Sequence, residues 1–242
     1  MYMFGVGRMW GYTPDGSPVE FGELQSVSVD FSFDQKTLSG SKQLPVKMVR
    51  GKGKIEAKAS FARIKSEAIG LILGGIQSSG HKKIATESVN IPASAAYTIT
   101  VAQGAYFEKN LGVVDVSSSL VAVPMKKVPG SPAAGEYAVD TSGVYTFGAA
   151  DAGKPVQITY MYNDNTSGTT ITLANEEMGS APQFSTLLNG KFDGKQISVW
   201  LSACISTKLG LALKQEDFLI PDFDIGVFAG PDGSPGWISL GE

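Results

Sequence analysis

The sequence predicts an all-β protein with one flanking helix, in which a β-sandwich or barrel domain is interrupted by a small inserted β-sandwich (Ig-like) domain. Three observations lead there. Several runs alternate apolar and polar residues with a period of two. One stretch only carries apolar residues at helical spacing. The middle of the chain breaks into short segments punctuated by glycine and proline.

Ser26–Asp34 (SVSVDFSFD) is the clearest strand. Val27, Val29, Phe31 and Phe33 share one face, and serines and aspartates share the other. Lys54–Phe61 repeats the pattern, with Ile55, Ala57, Ala59 and Phe61 opposite Lys54, Glu56, Lys58 and Ser60. Gln196–Ser206 is the third case, with Ile197, Val199, Leu201, Ala203 and Ile205 on one face and Trp200 and Cys204 on the other. Such alternation implies antiparallel sheets with one face buried. The helix is expected from Phe61 onward, where Phe61, Ile64, Ala68, Leu71 and Ile72 recur, with Ser60 as N-cap and Gly74-Gly75 as stop.

Between Asn90 and Gly168 the strand candidates are short: Tyr97–Val101, Leu120–Val123, Gly135–Val139, Val144–Phe147 and Val156–Tyr162. The stretch Asn163–Gly168 reads as a linker back to the first domain. The expected organisation is therefore discontinuous, with one domain formed by 1–89 and 169–242 and a second inserted at 90–168.

Composition bounds the chemistry. A chain of 242 residues makes one or two domains, each with a real core. One Cys and one His cannot supply a disulfide or the ligands of a structural zinc site. A net charge of −3 is not that of a general nucleic-acid binder. No run of apolar residues is long enough for a spanning helix, and the start Met1–Gly7 has no secretory pattern. His81 lacks the nucleophile and orienting acid of a catalytic base and reads as a loop residue. Cys204 reads as a packed, inert thiol. Asn163–Gly168 begins like a calcium loop, but its twelfth position is Ala174 where a bidentate Glu is required. Asp222 and Asp224 lie two apart, on one side of a strand, and read as an acidic strip. No cofactor, metal or catalytic set is expected, and the chain reads as no enzyme.

Charge is unevenly spread. Residues 36–65 hold Lys36, Lys42, Lys47, Arg50, Lys52, Lys54, Lys58, Arg63 and Lys65 against the single acid Glu56. Residues 214–242 hold Glu216, Asp217, Asp222, Asp224, Asp232 and Glu242 against the single base Lys214. Two opposite patches can meet across copies of one chain. The connector Gln35–Gly53 is too long for a hairpin loop and too apolar for disorder. Its Leu38, Leu44, Val46 and Met48, mixed with Lys42, Lys47 and Arg50, suit an arm that packs on another subunit. Glu216, Asp217, Asp222 and Asp224 are the expected acidic partners.

The strings Phe4-Gly-Val-Gly7, Val19-Glu-Phe-Gly22, Leu24–Asp34, Gly40-x-Lys-Gln-Leu-Pro-Val46, Arg50-Gly-Lys-Gly-Lys-Ile55 and Phe61-Ala resemble the major tail (tail tube) proteins of long-tailed, non-contractile bacteriophages and related prophages. Cys204-Ile-Ser-Thr-Lys208, Lys214-Gln-Glu-Asp-Phe218 and Ile220-Pro-Asp-Phe-Asp224 resemble the same family, as does Gly143–Gly153 in the insert. The resemblance covers essentially the whole chain. It implies a structural virion protein, made in the bacterial host cytoplasm, that self-assembles into hexameric rings stacked as a tail tube. The implied partners are further copies of the chain and the other tail proteins (tape measure, terminator and tail tip). DNA is then non-specific cargo in the lumen, and no membrane is involved. In that family the long connector between early strands reaches the neighbouring ring, which maps here onto Gln35–Gly53. The competing expectation is a tail-associated carbohydrate- or receptor-binding β-module that presents Tyr97, Tyr106, Tyr137, Tyr145, Tyr160 and Tyr162 of the insert.

Overall fold

A computed structural model describes residues 7–118, 121–213 and 215–241. The string at Phe4–Val6, the strand start at Leu120, Lys214 and Glu242 lie outside the described residues. Among the described residues the chain is mostly β-strand with one α-helix, and it divides into two compact units, 1–77 with 171–242, and 78–170.

The first unit contains β1 (Arg8–Tyr12), β2 (Pro18–Leu38), β3 (Lys47–Ile64) and helix α1 (Ser66–Leu73). β4 (Ile76–Asn90) then carries the chain into the second unit. There follow β5 (Thr98–Thr100), β6 (Phe107–Asp115), β7 (Val123–Pro124), β8 (Lys126–Lys127), β9 (Glu136–Val139) and β10 (Val144–Phe147). β11 (Pro155–Thr172) brings the chain back to β12 (Gln183–Phe192), β13 (Lys195–Gly210), β14 (Asp222–Phe228) and β15 (Gly236–Leu240).

In the first unit the strand order is β12-β1-β2-β3-β14-β13, and β12 pairs back onto β13 to close the ring. All these pairings are antiparallel. β14 pairs with Ala203–Gly210 of β13 and β15 with Ile197–Leu201, so β14 and β15 follow one another along the same strand. The predicted inward faces meet in register as Val27↔Ala59, Val29↔Ala57 and Phe31↔Ile55. At one end of the barrel Phe21, Phe61, Phe184 and Phe223 pack with ring centroids 5.7 to 6.2 Å apart. Helix α1 adds Ala68 and Ile72 to this core.

Gly11 is required at this end. A Cβ there would lie 2.3 Å from Cε1 of Phe21 and 2.6 Å from Cδ2 of Leu71, both side chains being hemmed in by the core. Overpacking of this kind costs about 1–3 kcal/mol. Gly11→Ala is therefore expected to lower the unfolding free energy of the first unit by that amount, read from the denaturant midpoint at constant slope.

Three expectations need correction here. The helix starts at Ser66, not Phe61, and Lys65 rather than Ser60 stands at its N-cap, with no side-chain cap bond. The register steps from Leu24↔Phe61 to Glu23↔Arg63, so Ala62 is an extra residue on β3. That bulge turns Phe61 and Ile64 to the same side and imitates helical spacing. Gly74 does end the helix, in the left-handed region at φ 65°. Second, Cys204 is fully buried in the core beside Leu201, not on the opposite face. Phe184 faces Cys204 while Thr186 faces Leu201, so β13 is also bulged and its alternation changes phase. Burial pushes the Cys204 thiol up to about 12. The folded protein is expected to resist iodoacetamide at about pH 8 and to be alkylated only on unfolding, because the thiolate is the reactive form. Third, Gln35–Gly53 is not a bare connector. It extends both strands, with Gln35↔Arg50 and Leu38↔Lys47 paired, and only residues 39–46 form the loop.

The second unit stacks its own core, Ile91, Val101, Val113, Tyr137, Tyr145, Phe147, Val156, Ile158 and Tyr160, which shares no residue with the barrel core. Its sheets have the orders β5-β10-β9-β8 and β4-β11-β6-β7. The chain enters it at residue 78, so 78–89, expected in the first domain, belongs to this unit. His81 lies in β4 rather than in a loop, and the ring Nδ1–H donates to the Ser167 carbonyl at 2.6 Å. The linker expected at Asn163–Gly168 is continuous strand in β11.

Three of the insert's tyrosines are buried and satisfied internally. Asn110 donates from Nδ2 to the Tyr137 hydroxyl at 2.8 Å and accepts from the Tyr145 hydroxyl at 2.9 Å. The Tyr160 hydroxyl donates to Glu87 and accepts the Gln103 N–H at 3.3 Å, and burial raises its pKa to about 12. Asp151 is also fully buried, with its two carboxylate oxygens taken by the Gly135 N–H and Lys154 Nζ, each at 2.7 Å.

Candidate functional site

The arm follows from how the strands pair. β1 leaves β2 at Glu23, and β14 leaves β3 at Ile55. Beyond these points β2 and β3 pair only with one another among the described residues. At about 3.3 Å per residue, β3 residues 47–54 carry the tip roughly 25 Å past the barrel. The Val46 N–H donates to the Leu38 carbonyl at 2.7 Å and closes the tip.

Of the expected arm residues, Leu38, Leu44, Met48 and Val46 are exposed, as is Val49, and Leu44 reaches 81%. Lys42, Lys47 and Arg50 are exposed among them. The Arg50 guanidinium sits 4.6 Å from the centroid of Phe33, a cation–π contact that holds it against the arm about midway along its length. An isolated chain gains nothing from exposing so many apolar side chains together, and patches of this kind mark surfaces of contact.

The acidic residues lie at the other end of the barrel. β3 runs from the arm tip toward α1, and β14 pairs with it as Asp222↔Ser60. The Phe61 N–H donates to the Pro221 carbonyl at 2.9 Å. The β13–β14 connection, residues 211–221, therefore sits at the helix end, opposite the arm. It exposes Leu211, Leu213, Phe218 and Leu219, with Leu213 and Phe218 both 87% exposed. Glu216 and Asp217 are exposed beside them.

Asp222 and Asp224 are placed differently from Glu216 and Asp217. Asp222 accepts from Lys208 Nζ at 2.6 Å, which holds its carboxyl below the usual carboxylate range and the Lys208 ammonium above its own. Asp224 stands in register with Lys58 on one side and Lys208 on the other. Both carboxylates thus have basic neighbours within their own sheet, whereas Glu216 and Asp217 lie on the exposed connection. A second connection at the helix end, residues 173–182, adds exposed Leu173, Glu176, Glu177 and Met178. It is located there by Pro182, which faces Gly74 at the end of α1.

Sequence reasoning passed over Phe218, the Glu176–Met178 loop and the edge strand β15. The available signal was the length of the 211–221 connection: an apolar-acidic stretch between two alternating strands is too long for a simple turn.

The arm end also opens inward. A cleft of about 300 Å³ lies where β15 diverges from the root of the arm, lined by Phe31, Ile55, Val199, Leu201, Trp237 and Ile238 among others. Trp237 and Ile238 remain half exposed there, and β15 pairs only with β13, which leaves its other edge open among the described residues. No three His, Cys, Asp or Glu residues gather where they could hold a metal ion, among the described residues.

No family model matches the chain, and no curated protein matches it.

Proposed function

We propose that this chain is a structural subunit that stacks head to tail on copies of itself, as the resemblance to phage tail tube proteins implies. One observation carries the reading. A basic, apolar arm and an acidic, apolar loop project from opposite ends of one barrel. Complementary surfaces at opposite ends of a rigid body cannot satisfy one another within a single copy. They pair between copies, and a contact repeated by translation builds a filament rather than a closed dimer. The arm lies along the next copy, with Arg50 and Lys52 nearer its root beside Glu216 and Asp217 of that copy's helix end, and Lys42 and Lys47 of the tip reach further along that copy's barrel. In the full reading, rings of such subunits form the tail tube of a virion, and DNA passes along the lumen as cargo.

The alternative, a sugar- or receptor-binding module, draws less support. Tyr137, Tyr145 and Tyr160 are fully enclosed and hydrogen-bonded in the insert's core, so they are not free to stack on a sugar.

Sedimentation velocity of the purified protein over a concentration series tests the proposal. Large, concentration-dependent polymers support it. A fixed monomer or small oligomer at every concentration refutes it.

A further inference from the structure

The stacking contact needs a seat at the arm end for whatever the helix end presents. We infer that Phe218 of one copy inserts into the Phe31/Ile55/Val199/Trp237/Ile238 cleft of the next. The inference rests on the head-to-tail reading above and names the residues that make its apolar centre.

Four observations converge on this pairing. The cleft is apolar, has a volume of about 300 Å³ and opens at the arm end. That volume accommodates one aromatic side chain with part of an aliphatic neighbour. The most exposed aromatic side chain among the described residues is Phe218, and it stands at the helix end. The charges flanking the two are opposite, with Arg50 and Lys52 on the strand leading into the cleft and Glu216 and Asp217 immediately before Phe218. The lengths are also consistent: with the helix end seated at the arm's root, the arm's roughly 25 Å runs alongside the next barrel. An anchor aromatic filling a pocket inside a rim of opposite charges is the usual anatomy of a strong contact.

Cysteine pairing tests it in the full chain, because the sole native thiol, Cys204, is buried. Phe218→Cys and Ile238→Cys are both surface changes and are combined in one chain. Assembled above its raised threshold and oxidised with copper phenanthroline, the double variant is expected to give a ladder of covalent dimers, trimers and longer species on a non-reducing gel. Neither single variant can form this bond. Independently, Phe218→Ala is expected to raise the concentration at which polymers appear roughly 10- to 100-fold, and Phe218→Leu to recover most of the loss. Polymers that form at the wild-type concentration with Phe218→Ala, together with a double-cysteine variant that polymerises but gives no ladder, overturn the inference while leaving head-to-tail stacking in place. A ladder from Leu44→Cys with Ile238→Cys, and none from Phe218→Cys with Ile238→Cys, assigns the cleft to the arm tip and also overturns it. Wild-type protein that never polymerises overturns the stacking reading and this inference together.

Discussion

Reversing the arm's charge nearer its root, with Arg50→Glu and Lys52→Glu in one chain, raises the concentration needed for ordered polymerisation and leaves both units folded. Both side chains are exposed, and neither takes part in either core. Each exposed ion pair between copies is worth only about 0.2–1 kcal/mol. Reversal does more than delete these pairs, since it sets like charges against Glu216 and Asp217, and such juxtaposition costs several kcal/mol at an interface. The penalty recurs at every step of a filament. The polymerisation threshold, followed by light scattering, should therefore rise by about tenfold or more. Adding Glu216→Lys and Asp217→Lys to the same chain restores complementarity and should bring the threshold back toward the wild-type value. In wild-type protein, rising salt should weaken assembly in the same direction, because the exposed pairs are screened. A reversed arm that assembles at the wild-type threshold removes charge pairing from the account.

Phe61→Ala produces the second large effect, this time on stability. The ring is fully buried and packs against Phe21 at 6.2 Å and Phe223 at 5.9 Å between centroids. Its removal leaves a cavity at the closed end of the barrel, where α1 and three other phenylalanines converge. Large-to-small changes at such sites cost about 3–5 kcal/mol, a sizeable part of the roughly 5–15 kcal/mol that holds a domain together. The second unit has a separate core, so its own melting transition should stay in place. Calorimetry is expected to show one transition moving down by many degrees beside one that does not move. A common shift of both transitions would mean that the units unfold as one.

Much of the barrel was legible in the sequence because alternation reports a local property, namely which face a side chain occupies. Ser26–Asp34 and Lys54–Phe61 lie in β2 and β3, and their inward residues are cross-strand neighbours. Misreadings came where one extra residue changes the phase. Ala62 turned two core residues of β3 into an apparent helical pair, and the bulge in β13 moved Cys204 into the core. A bulge is decided by pairing with a partner strand distant in sequence, so its effect on one strand's pattern is ambiguous. His81 and Asn163–Gly168 look like loop sequence because glycine and asparagine are common there, yet both sit in long strands of the second unit. The candidate site was legible in composition and not in placement. The arm's mixture of Lys and Leu is visible along the chain, as is the acidic run from Glu216. That the two sit at opposite ends, that Lys208 takes Asp222, and that β15 borders an apolar cleft all depend on long-range pairing.

Negative-stain electron microscopy of the purified wild-type chain, concentrated in low-salt buffer, tests head-to-tail self-assembly most directly. Head-to-tail stacking predicts rings in stacks or filaments of constant width whose length grows with protein concentration. Discrete, uniform particles that never elongate would contradict it.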